Sequence, residues 1–198
     1  SSDVCSSDLA DKAEVDFDGS FVYCTEEESR RVSLEAIALK GTCFNNTELQ
    51  VVRQHSSPLS PPPFMVGMAE VEVDTETGSV ELLDYVAVVD CGTPINPNLA
   101  RVQTEGGLVQ GIGMALSEDV QYTEKGKIRN NSFMQYKIPT REDIGDIRVD
   151  FECSYEKTGP FGAKSIGELV IDIPCPAIAE AVYNATGVRV RELPILPE

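Results

Sequence analysis

A chain of 198 residues with a formal net charge of −17 and an isoelectric point near 4.4 can bury a sizeable core. Its acidity argues against nucleic acid or an anionic membrane surface as a partner. No apolar run is long enough to span a bilayer, and the start lacks the basic-then-apolar order of a secretory signal. One histidine, His55, and six cysteines scattered without a C-x-x-C pair leave little for a zinc site. His55 reads as structural or solvent-exposed, and the cysteines as reduced thiols of a cytoplasmic protein.

The first nine residues repeat Ser-Ser-Asp without periodicity and read as a non-native artefact or a disordered tail. They resemble translated sequencing-adapter read-through, which would make the chain a fragment with its natural amino-terminal part missing, and they are set apart from one domain over residues 10–198. Glu14 to Tyr23 predicts strand–turn–strand about Asp18-Gly19. Thr25 followed by Glu26, Glu27 and Glu28 predicts a helix start. Val32, Leu34, Ala36, Ile37, Ala38 and Leu39 form its apolar face and Gly41 its end. Leu49 to Gln54 reads as a short strand, and the Pro/Ser-rich stretch 56–63 as an interdomain linker or an internal loop.

Phe64–Asp74 and Ser79–Val89 predict a hairpin turning at Thr75-Glu-Thr-Gly78, with glycine where a positive φ is needed. Asn96-Pro97 predicts a helix running to Leu116. Gly106, Gly107, Gly111 and Gly113 along it cost about 1 kcal/mol each relative to alanine, a cost that close approach of a neighbouring backbone would offset. A second hairpin is expected at Lys125-Gly126, a strand over Ile147–Tyr155, a helix over Pro176–Thr186 closed by Gly187, and a last strand over Val188–Leu193. Without a regular βαβ repeat, the expected class is α+β, with mixed or antiparallel sheets and packed helices.

Residues 160–168 suit neither an ordinary strand nor a helix. Glu168 closes a tract whose two glycines and alanine allow backbone N–H groups to approach another molecule. A single acid beside such a cradle suits a general base held against a cofactor. The same Gly-Glu pair before a helix also suits a surface loop with a favourable N-terminal charge.

Three blocks, in order, carry a family resemblance. Ser60-Pro-Pro-Pro-Phe64 with Ala69-Glu-Val-Glu-Val-Asp-Thr-Glu-Thr-Gly78 is one. Asp90-Cys-Gly-Thr-Pro-Ile-Asn-Pro97 with Gln103-Thr-Glu-Gly-Gly-Leu-Val-Gln-Gly-Ile-Gly-Met-Ala-Leu116 is the second. Phe161-Gly-Ala-Lys-Ser-Ile-Gly-Glu168 with Pro176–Pro194 is the third. Together they resemble the carboxyl end of the large, molybdopterin-binding subunit of the molybdenum hydroxylases, the xanthine dehydrogenase and aldehyde oxidase family, from about residue 13 onwards. The resemblance makes the stretch 56–63 an internal loop.

It implies a small-molecule substrate, a purine (xanthine-like), another N-heterocycle or an aldehyde, hydroxylated with oxygen from water, with Glu168 as the base. It implies molybdopterin, plain or as the cytosine dinucleotide, with Gln103 hydrogen-bonding it and the backbone of Ile166 lying against it. Lys164, Ser165 and Gly167 are neighbours there, and Lys164 could neutralise a phosphate or be solvated. Ser165 departs from the glycine or alanine often found at its position. Iron–sulfur clusters and FAD belong to other domains or subunits of a homo- or hetero-oligomer. Missing protein metal ligands are expected, since the pterin holds the metal. The isolated segment should be inactive. The alternative is a non-catalytic carboxyl-terminal scaffold or subunit-contact module whose site is vestigial.

Overall fold

The computed structural model describes residues 14–45, 52, 54, 56 and 59–197. His55 and most of the strand expected over Leu49–Gln54 lie outside the described residues. The chain divides into two compact units, Ser1–Ser56 and Ser57–Glu198, and the division falls within the Pro/Ser-rich stretch.

In the first unit, β1 (Val15–Phe17), β2 (Phe21–Cys24) and β3 (Arg31–Ser33) form an antiparallel sheet in that order. The expected turn is made by Asp18, whose Oδ1 accepts from the N–H groups of Ser20 at 2.8 Å and Phe21 at 2.7 Å. The helix expected from Thr25 begins nine residues later, as α1 (Leu34–Lys40). Residues 25–30 instead turn the chain so that Val32 pairs with Val22 and Arg31 with Tyr23. Pairing satisfies the backbone groups of 31–33, and Ser33 is the real N-cap, its Oγ accepting from Ala36 N at 3.2 Å. Gly41 is the C-cap, as expected.

The second unit is built on β4 (Phe64–Val73) and β5 (Val80–Asp90), the expected hairpin, with Gly78 at φ +74°. Asp74 fixes its turn by accepting from Glu76 N at 2.9 Å and Thr77 Oγ1 at 2.8 Å. A register shift between Glu70 and Val71 leaves Leu83 as the extra residue on β5. That bulge turns both Leu82 and Tyr85 inward although three positions separate them. From β5 the chain crosses through α2 (Pro97–Leu116) to β6 (Asp146–Phe151), which lies parallel to β5, giving a mixed sheet of order β4-β5-β6. The α+β class stands.

Helix α2 has the boundaries the sequence predicts, because Asn96 Oδ1 caps Leu99 N at 3.2 Å and Pro97 sits at the first helical position. Leu108, Ile112 and Ala115 of α2 pack with Ile178 and Val182 of α4 (Pro174–Thr186) over Leu82, Tyr85, Ala87 and Val149 of the sheet. The apolar run Leu169–Ile173 is itself a short helix, α3 (Leu169–Asp172). Close approach explains most of the glycines in α2. A Cβ on Gly107 would strike the Val170 side chain, and one on Gly111 would stand 2.7 Å from the Ile171 carbonyl oxygen. Gly106 has nothing within 4 Å of that position.

Three further expectations need correction. β6 ends at Phe151 rather than Tyr155, because after Glu152 bonds Val89 O the Ser154 hydroxyl turns to Asp90. Residues 188–193 form no strand. Arg189 lies over the Tyr183 ring and pairs with Glu180, while Ile195 N bonds Ala115 O at 2.7 Å, so this tail is anchored by α4 and α2 and not by a strand edge. The hairpin at Lys125-Gly126 shrinks to a turn with one bridge, Tyr122 to Ile128. No helix among the described residues is long and apolar enough to cross a membrane.

Candidate cofactor site

Two segments distant in sequence meet where β5 runs out. Residues 90–96 lead from β5 into α2, and the 160–168 loop is laid against them. Thr93 N donates to Gly162 O at 2.8 Å, Lys164 N to Cys91 O at 2.7 Å, and Gly92 bridges Ala163. Glu156 N also donates to Gly162 O, at 3.1 Å. The loop opens with a single 3₁₀ turn, Pro160–Gly162, followed by extended and irregular backbone. Phe161 there holds φ 54° and ψ 22°, a left-handed conformation that costs a non-glycine residue roughly 1 kcal/mol or more. Gly162 follows at φ +83°, and a Cβ on it would stand 2.8 Å from Thr93 Oγ1. Only glycine allows the two segments to close together here.

A groove of about 340 Å³ lies along this junction, lined by Cys91, Thr93, Asn96, Gln103, Lys164 and Ile166 among others. Gln103 projects from the exposed face of α2. Gly167 faces it: a Cβ built there would stand 3.9 Å from Gln103 Nε2. Of the expected site residues, Gln103, Lys164 and Ile166 line one groove, and Gly167 borders it. Ser165 is exposed. Glu168, also exposed, holds the N-cap position of α3 without a side-chain capping bond. Its carboxylate is thus not consumed by the helix it precedes.

Lys164 is placed differently from the phosphate neutraliser or solvated lysine expected of it. Its side chain is 6% exposed, and Nζ donates to Asp90 Oδ2 at 2.7 Å while lying 5.2 Å from the centroid of the Phe64 ring. Asp90 also accepts from Ser154 Oγ at 2.5 Å and from Gly92 N at 3.0 Å. Desolvation pushes its carboxyl pKa up, but the bonds from Lys164, Ser154 and Gly92 outweigh it and hold the group at about 2. Asp90 and Ser154 were not picked out by sequence reasoning, and nothing local distinguishes Ser154. Asp90 stands at the head of the second family block, which is the one signal that could have drawn notice. Burial raises the Cys91 thiol, which keeps it protonated in the groove wall. Among the described residues no group of three or more His, Cys, Asp or Glu side chains could hold a metal ion.

A side-chain amide and a backbone stretch of small residues facing one groove suit a polar, hydrogen-bonding ring system better than a bare ion, because both donors and acceptors are on offer. Residues 7–145 match the family described as the molybdopterin cofactor-binding domain. The chain belongs to this family, within the molybdenum hydroxylases. The probable hypoxanthine oxidase XdhD of Escherichia coli (strain K12) is 41% identical over 140 residues, covering 69% of this chain and 14% of that protein. The aldehyde oxidoreductase molybdenum-binding subunit PaoC of the same organism is 38% identical over 128 residues, covering 64% of this chain and 18% of that one. The chain therefore spans less than a fifth of either relative.

The family match ends at residue 145, before the loop that carries Glu168. A likeness of fold reaches further. A chain of the Cu,Mo-CO dehydrogenase crystal structure superposes with a TM-score of 0.81 over 99% of this chain and 26% of that one, at 22% identity. That likeness of fold takes in the 160–168 loop.

Proposed function

We propose that this chain forms the part of a molybdopterin-dependent oxidoreductase that sets a general base, Glu168, beside a cofactor held partly by Gln103. The observation that carries the reading is the approach of Gly167 to within 3.9 Å of the Gln103 amide, measured from a Cβ position, across 64 residues of sequence. Glu168 follows Gly167 directly, with its carboxylate uncommitted to capping.

Gln103 would hold the cofactor through its amide, which offers a donor and an acceptor from one rigid group. The backbone of Ile166 would lie against it, and Gly167 keeps the space between loop and α2 clear. The stem of Lys164 completes that wall. When bound, the molybdenum cofactor supplies the two-electron redox chemistry. A carboxylate oxygen of Glu168 takes up the proton released as oxygen from water is transferred to an electron-poor carbon of the substrate. The substrate class is a purine, another N-heterocycle or an aldehyde. The 41% identity to a probable hypoxanthine oxidase favours a purine.

Electrons leave through iron–sulfur and flavin groups on other domains or subunits, and the name of PaoC as a molybdenum-binding subunit supports such an assembly. The five cysteines among the described residues, Cys24, Cys43, Cys91, Cys153 and Cys175, are free, which suits a reducing, cytoplasmic setting. A purely structural role for Glu168 is disfavoured, since the side chain makes no capping bond. The deciding experiment is Glu168→Gln in the full-length, cofactor-loaded enzyme. Loss of a positioned proton acceptor lowers kcat by about 10²–10⁴-fold, and undiminished turnover would refute the assignment.

A further inference from the structure

The loop bearing the proposed base is tied down at one point where four separated segments converge. Phe64 at the start of β4, Asp90 at the end of β5, Ser154 just after β6 and Lys164 in the loop meet around a single carboxylate and a single ammonium. The ion pair is 2.7 Å long, and the lysine side chain is 6% exposed. Water therefore competes poorly for it, and the ammonium has little freedom to reach a ligand. The backbone bonds flanking it, Lys164 N to Cys91 O at 2.7 Å and Thr93 N to Gly162 O at 2.8 Å, are short and regular. They hold a loop that contains a left-handed phenylalanine and so has a conformational preference to leave this geometry.

We propose that Asp90, acting through Lys164 with Ser154 in support, is a positioning residue that latches the 160–168 loop onto the end of β5 and thereby sets where Glu168 stands. The inference rests on the reading of Glu168 as base. It assigns Lys164 to the protein's own carboxylate, not to a phosphate of the cofactor. Three residues lie between Lys164 and Glu168, and Lys164 and Ile166 line the groove, so displacement at the latch is carried to the base through Ser165, Ile166 and Gly167. A misplacement of about 1 Å in a catalytic group can cost on the order of 10²-fold in rate.

The test uses the full-length, cofactor-loaded enzyme with Asp90→Asn, Lys164→Gln, the double variant, Lys164→Arg and Ser154→Ala. Three quantities are measured: molybdenum per chain, kcat and KM, and amide hydrogen exchange of peptides spanning 90–93 and 160–168. Each single latch variant is expected to keep its molybdenum, to lower kcat by about tenfold or more with KM little changed, and to speed loop exchange by a similar factor. The double variant should be no worse than the poorer single, because both remove one interaction. Lys164→Arg should recover much of the loss, and Ser154→Ala should move the same way by less, which keeps the test open if Asp90→Asn fails to fold.

Unchanged loop exchange in Asp90→Asn, or in Ser154→Ala where that is the variant that folds, would overturn the latch. So would faster exchange with unaltered kcat. Loss of molybdenum in Lys164→Gln but not in Asp90→Asn would make Lys164 a cofactor ligand and overturn it as well. The exchange readout does not depend on the base assignment: full turnover by Glu168→Gln would sink that reading and leave the latch standing, whereas a silent exchange result sinks the latch alone.

Discussion

A Cβ on Gly167 would stand 3.9 Å from the side-chain nitrogen of Gln103, an ordinary van der Waals separation, so a methyl group at this point of the loop would just reach α2. Alanine therefore fits there, while anything larger must grow into the groove that Gln103 and Ile166 line. Gly167→Ala should leave molybdenum content and kcat within about twofold of the parent, and Gly167→Leu should cut cofactor occupancy by roughly tenfold or more, since about 1.4 kcal/mol of lost contact suffices. Elemental analysis beside a thermal melt separates loss of cofactor from loss of fold. Equal occupancy in both variants would mean that the groove at this point holds nothing.

Gly106 and Gly107 are neighbours in α2 with opposite surroundings, and they should answer alanine with opposite signs. At Gly106, where the Cβ meets nothing within 4 Å, helix propensity alone acts and alanine stabilises by about 0.5–1 kcal/mol. At Gly107 the methyl group runs into the buried Val170 side chain. Overpacking of this kind costs about 1–3 kcal/mol, more than the propensity gain. Denaturant unfolding of both variants measures the two signs. Stabilisation by Gly107→Ala would show that α3 yields freely to α2.

Those glycines also mark what the sequence disclosed and what it withheld. The limits of α2 were legible because Asn96 and Pro97 are local signals that act within one turn, and so was the β4–β5 turn at Gly78. The purpose of the helix glycines was legible only as a cost needing an offset, for the offset is Val170 and Ile171, far along the chain. Local signals misled at Thr25, where three acids imitate a first helical turn while Arg31–Ser33 is claimed by pairing with β2. The β-like run 188–193 misled in the same way, since it pairs with no strand and is held by Arg189 over Tyr183 and by Ile195 N on Ala115 O instead. At the site, Gln103, Ile166 and Glu168 came from motif resemblance. Asp90–Lys164 spans 74 residues, and no spacing rule announces a contact of that range.

Asp90 also predicts a response to acid. Its folded carboxyl sits at about 2 against an ordinary 3.8, so the folded state binds its proton less readily than the unfolded chain does. The stabilisation is complete above the unfolded value and fades as pH falls from about 4 towards 2. Asp90→Asn should remove that component, leaving a lower stability at neutral pH with a shallower decline below pH 4. Unfolding midpoints measured from pH 6 down to pH 2 test it (about one pH unit per step suffices). Parallel curves for the two proteins would mean that Asp90 keeps an ordinary carboxyl.

The 198 residues alone should bind no molybdenum. The groove beside Gln103 is an open trough with walls from residues 91–103 and 163–166, and a cofactor seated there would leave much of its surface to water. Small-ligand sites that hold tightly bury some 70–90% of the ligand, and the chain spans only 14% of the XdhD relative and 18% of PaoC, so most of any such enclosure has to come from elsewhere in the polypeptide. A folded but metal-free product is the expected result of purifying this segment from cells making the cofactor, with the fold checked by circular dichroism. Stoichiometric metal in that preparation would mean that Gln103 and the 160–168 loop are sufficient by themselves, and that the remaining sequence serves substrate and electron transfer more than cofactor retention.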